Sequence, residues 1–238
     1  MKKLLLPVLL LISLSSFAQP AGVDSLENLL ADKSLKEITR IDVLNELAYL
    51  RRSELAVSIV YAREAMALAK RIGYEKGEAA ASNAFSFYYW SKMENEKSLQ
   101  YALSALRIFE SLNDKKGLMD TYTLIGLTYL NLKESDKAEK YFNLSLPLSL
   151  ESKNDEAIGR VYNSFGVVAL ARNDRKEALK LFLKAHTYLK RAENTPIKVI
   201  VLCNIGMMHR LNSDTQKAFP YLFEGLQINM EMLSACHY

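Results

Sequence analysis

Gly126, Gly166 and Gly206 follow one another at a constant step of 40 residues. Ala138, Ala178 and Ala218 keep that step, and so do Phe142, Phe182 and Leu222. A chain that returns to the same residue types at this interval is built from stacked copies of one supersecondary unit, each burying its apolar face against the next. The step therefore predicts a solenoid and a long continuous surface.

The period inside a unit predicts what the unit is. Tyr122, Ile125, Tyr129 and Leu132 recur at steps of three and four and form one helical stripe. The run Lys133-Glu134-Ser135-Asp136 interrupts it, with Ser135 or Asp136 available as a cap for a second helix. Ala138, Tyr141, Phe142 and Leu146 make the stripe of that second helix. Each unit is thus expected to be two antiparallel helices that approach closely where Gly126 and Ala138 keep the contact small, with Phe142 filling the space beyond. Ser86 and Ser98 take the glycine and alanine places in the second unit, and Ala102 the phenylalanine place. In the first unit Ala48 takes the glycine place, and the path to its second helix reads about two residues shorter. Pro147 and Pro220 fall inside predicted second helices, as local irregularities or bends.

Tyr122, Ile125-Gly126, Tyr129, Ala138 and Phe142 stand in an order and spacing that resembles the tetratricopeptide repeat family, in a forty-residue version of its unit. The resemblance runs over roughly residues 40–234. It implies an all-α, right-handed superhelical solenoid of about five helix-turn-helix units, near 41–75, 76–115, 116–155, 156–195 and 196–238. Residues 19–40 are expected to form short capping helices over the leading face. In that family the first helices line a concave groove in which partners bind. Carried over through the glycine place, the groove positions here are Asn45, Asn83, Thr123, Asn163 and Asn204 beside Cys203; Tyr49, Phe87, Leu127, Val167 and Met207; and Arg52, Trp90, Leu130, Leu170 and Arg210. The implied site is an apolar floor with a row of short amides, each offering a donor and an acceptor to the backbone of an extended peptide. Those amides could equally be spent on neighbouring helices. The lysine set with which some relatives clamp a chaperone carboxylate is absent from these places.

Residues 1–18, MKKLLLPVLLLISLSSFA, read as a signal peptide: two lysines, an apolar run too short to cross a bilayer, and Ser16 and Ala18 at the cleavage positions. The mature chain is expected to start at Gln19 and to be periplasmic or secreted, with no stable membrane span after cleavage. Without Lys2 and Lys3 the balance is 29 basic residues against 27 acidic, too even for a nucleic-acid surface. Cys203 and Cys236 lie in an export context, yet spacing alone supplies no disulfide geometry.

No nucleophile, metal-ligand or phosphate-loop spacing stands out, so neither an enzyme nor a cofactor or metal is expected. Charged side chains are expected in turns and on outer faces. The reading is a non-catalytic module that binds a protein or peptide segment. The alternative is the sensory part of a membrane histidine kinase or transcriptional regulator, since the resemblance extends to exported sensor regions of that kind. The last unit ends at LSACHY without an obvious polar capping helix, so either a longer chain or self-association through this end is expected to cover its apolar surface.

Overall fold

A computed structural model describes residues 22–192 and 195–234. Among them are eleven α-helices and no strand. The signal-peptide reading, Cys236 and His237 lie outside the described residues. Helix α1 (Val23–Ala31) precedes five antiparallel pairs: α2 (Glu37–Leu50) with α3 (Leu55–Ile72), α4 (Glu75–Ser91) with α5 (Asn95–Leu112), α6 (Lys115–Asn131) with α7 (Ser135–Ser152), α8 (Asp155–Ala171) with α9 (Arg175–Leu189), and α10 (Pro196–Leu211) with α11 (Thr215–Ser234). Successive pairs stack, and each first helix also touches the first helix of the next pair.

The forty-residue step is also a step of the backbone. Met93, Lys133, Asn173 and Ser213 each sit in the middle of a three-residue link between paired helices, all with φ between 61° and 64°. Gly73, Asn113 and Lys153 hold the left-handed conformation between pairs. One left-handed residue reverses the chain and stops the preceding helix, while the following amide bonds back to it, as Glu134 does to the Tyr129 carbonyl at 2.9 Å. The cap expected of Ser135 or Asp136 is displaced by one: Glu134 is the N-cap of α7 and makes no side-chain cap bond. Backbone geometry, not the Ser135 hydroxyl, starts that helix.

The glycine place is a notch for an aromatic ring. A Cβ on Gly126 would stand 2.4 Å from Phe142, and one on Gly166 2.4 Å from Phe182. On Gly206 it would stand 2.5 Å from Leu222. The rings of Phe142 and Phe182 are wholly buried there. Where the first helix carries a larger residue, the second carries a smaller one: Ser86 faces a unit with Ala102, and Ala48 one with Ala62. In the second unit the Ser98 hydroxyl donates to the Ser86 carbonyl at 3.0 Å and pairs with the Thr128 hydroxyl at 2.8 Å, so buried polar atoms at this close approach are satisfied.

The first unit is shorter for a specific reason. Ser58 donates to the Ala48 carbonyl, as Ser98 does to that of Ser86, but ten residues separate the first pair and twelve the second. Helix α2 ends early, after Leu50, and its link of four residues, 51–54, is the longer one. The missing residues come from the last helical turn, not from the link. Residues 37–40, expected in a separate capping segment, belong to α2. Among the described residues, helix α1 covers the leading face: Val23 is fully buried and packs with Leu26 and Leu30 on Val43 and Leu47. Pro147 does not end α7, which runs on to Ser152, and Pro220 lies inside α11. At the trailing end, Phe219, Phe223, Leu226 and Met230 recur along α11 and remain exposed, with the two phenylalanine rings stacked.

Candidate functional site

The first helices α2, α4, α6, α8 and α10 lie side by side and form one face of the solenoid. The structure divides the expected groove residues into two groups. The amides are largely spent between helices. Asn45 donates to the Gly77 carbonyl at 3.0 Å, Asn83 accepts from the Thr121 hydroxyl at 3.0 Å, and Asn204 donates to Asn163 at 2.9 Å. Thr123, Asn163 and Asn204 are buried, with Thr123 turned towards Ser145 of its own unit. These three therefore fasten helices together and offer no groove surface, which corrects the expectation of a continuous amide row. The cause is physical: a short polar side chain at a helix-helix contact finds a partner before water or a ligand does. The Oδ1 atom of Asn45 is buried without a hydrogen-bond partner.

The second group remains available. Phe87, Trp90, Leu127, Val167 and Met207 are half-buried, and Arg210 is exposed. Phe87 and Trp90 pack with ring centroids 5.3 Å apart, and the Trp90 indole Nε1 is buried with no acceptor. Leu127 and Val167 lean on the inter-unit core, which fixes their height on the face.

Beyond Arg52 and Arg210, sequence reasoning missed the charge on this face. From α2 and its link come Glu46, Tyr49 and Arg52; from α6, Lys116 and Asp120; from α8, Glu156 and Arg160. The Arg52 guanidinium stacks on the Tyr49 ring at 4.1 Å and reaches Glu156 at 3.4 Å. Arg160 donates to the Tyr49 hydroxyl at 3.0 Å and pairs with the same Glu156 oxygen. These contacts cross from the first unit to the fourth, although no Cα of α2 comes within 8 Å of α8. Lys116 approaches Glu46 at 4.0 Å. The arrangement was visible in part: Asp120 and Arg160 both lie six residues before the glycine place, one turn before Thr123 and Asn163 on the same helical stripe.

Burial sets the electrostatics here. Desolvation pushes the Asp120 carboxyl up from its ordinary value, against the pull of Arg160, Lys116 and Arg52. Desolvation lowers the Arg52 guanidinium, helped by the like charge of Arg160. Arg160 is raised: burial opposes its charge, but Tyr49, Glu156 and Asp120 together outweigh that cost. Asp120 makes no ion pair within 4 Å among the described residues. No group of three or more His, Cys, Asp or Glu among those residues is placed to hold a metal. No helix among them is long and apolar enough to cross a membrane.

Comparison with known proteins agrees with this architecture. Residues 117–191 match the family model described as tetratricopeptide repeat. The transcriptional activator NprA of Geobacillus stearothermophilus is 22% identical over 183 residues, which is 76% of this chain but 45% of that protein. This chain thus spans about half the length of that curated relative. Among solved structures, a Rap protein complexed with competence and sporulation factor superposes with a TM-score of 0.72 at 16% identity, over 88% of this chain and 58% of that one. NprR in complex with its cognate peptide NprX gives 0.70 at 13% identity, over 89% and 61%. BtubC from P. vanneervenii gives 0.62 at 17% identity, over 89% and 88%. The matched segment covers α6 to α9, the same helix pair recurs on both sides of it, and the fold as a whole is that of tetratricopeptide repeat-like solenoids.

Proposed function

We propose that this protein is a non-catalytic module that binds an extended peptide or protein segment along the face formed by α2, α4, α6, α8 and α10. The observation that carries this reading is the mixed character of that face. Half-buried apolar and aromatic side chains from Phe87 to Met207 run beside half-buried charges of both signs. Apolar pockets with a few convergent polar groups suit a peptide's side chains and backbone. The fold likeness to NprR and Rap, each solved with a peptide or protein factor, supports the same use. The test is selection of peptides from a random displayed library on residues 19–238, followed by calorimetry. Selected peptides are expected to bind wild type and to weaken about tenfold or more with Trp90→Ala, as a central aromatic anchor should. Equal affinity for wild type, Phe87→Ala and Trp90→Ala would place binding elsewhere.

We further propose export, on the strength of residues 1–18. Expression of the full chain in a Gram-negative host, followed by N-terminal sequencing of the periplasmic fraction, is expected to read from Gln19. A product beginning at Met1 in the cytosol would refute it.

A second reading is the sensory part of a larger regulator, favoured by the name of the NprA relative and by the share of it that this chain spans. A contiguous reading frame encoding an output domain would decide for it.

A further inference from the structure

We infer that Tyr49, Arg52, Glu156 and Arg160 form a clasp that ties the first unit to the fourth across the face formed by the first helices and sets how closed the solenoid is. In a stacked-repeat protein each unit contacts only its neighbours, so the array bends like a spring whose shape is the sum of small rotations. A bond between units that are not neighbours is of another kind. It adds a constraint that the stacking itself does not supply, and it acts with the leverage of the units between.

The described geometry has the features such a device needs. The bridging is made by side-chain ends alone, because the backbones of α2 and α8 stay more than 8 Å apart at every Cα. It can therefore open without unpacking a core. Its parts are complementary and jointly held. The Tyr49 ring lies under two guanidiniums, at 4.1 Å from Arg52 and 5.8 Å from Arg160, while its hydroxyl accepts from Arg160. Glu156 takes both arginines on one oxygen. The side chains of Arg52, Glu156 and Arg160 are only 23%, 25% and 19% exposed, so the pairs are screened less by salt than pairs on the outer surface. Two arginines held against each other repel, and Arg52 registers that repulsion. Removing the shared Glu156 charge leaves that repulsion opposed only by Tyr49 and Asp120, so the clasp is expected to loosen.

The clasp stands on the ligand-free geometry alone. That it also controls access to the face rests on the peptide-binding reading. The experiment is therefore run without ligand. Spin labels are placed at Val60→Cys on α3 and Lys176→Cys on α9, both exposed, in a Cys203→Ser, Cys236→Ser background. Pulsed dipolar spectroscopy then reads the distance between first and fourth units. Glu156→Gln is expected to lengthen and broaden the distribution by several ångströms with helical content unchanged. Tyr49→Phe, which removes one hydroxyl and keeps the ring, is expected to shift it in the same direction by less. High salt on the unsubstituted clasp should do the same. A distribution that stays put in Glu156→Gln, Tyr49→Phe and high salt overturns the inference, whether or not any peptide binds.

Discussion

Phe182→Ala is expected to lower the unfolding free energy by about 3–5 kcal/mol, because the ring lies wholly buried in the largest apolar cluster and leaves a cavity. Gly166→Ala is expected to cost about 1–3 kcal/mol for the opposite reason: its new methyl meets the Phe182 ring at 2.4 Å in a packed interface. Combined, the two should cost less than their sum by about 1–3 kcal/mol, since removing the ring vacates the volume the methyl needs. A double-mutant cycle in urea reads this directly. Strict additivity would show that the glycine is required for some reason other than the ring. The same complementarity is already present in the chain, where Ser86 and Ala48 share their units with Ala102 and Ala62 in place of phenylalanine.

Arg51→Met should cost about 2–4 kcal/mol, the second largest effect expected here. Its side chain is 10% exposed, bonds Glu27 at 2.7 Å and reaches both oxygens of Glu54 at 3.2 and 3.4 Å. Glu27 also accepts from the Tyr61 hydroxyl at 2.8 Å. Methionine keeps much of the packing but removes the cation that ties Glu27 to Glu54, leaving Glu27 only the Tyr61 hydroxyl. Glu27 belongs to α1, so the loss should concentrate there. Hydrogen exchange is expected to quicken across α1 well before α6 or α8 changes. Uniform quickening along the array, or none, would argue that α1 is held by Val23, Leu26 and Leu30 alone.

The repeat was legible because it is written in volume. A glycine, an alanine and a large apolar residue at a fixed interval describe a close helix contact, and no other residue types serve it as well. The links were less legible. Left-handed residues there are Met93, Lys133, Asn173 and Ser213, types with no common side-chain signature, so only the backbone reveals that they are one position. The asparagines show the limit most clearly. From sequence, Asn83, Asn163 and Asn204 occupy the stripe of a groove, but whether an amide meets a ligand or the adjacent helix depends on how closely the helices pass. Here they pass closely enough for Asn204 to bond Asn163.

By itself the sequence determined the helix pair, its period and the notch that locks each pair, because these follow from local spacing and side-chain size. Tertiary structure alone decided that α2 and α8 face one another, that Arg52 and Arg160 share Glu156, and that desolvation pushes the Asp120 carboxyl up from its ordinary value. Small rotations accumulate from one stacked unit to the next, and residues 104 and 111 positions apart meet only through that sum.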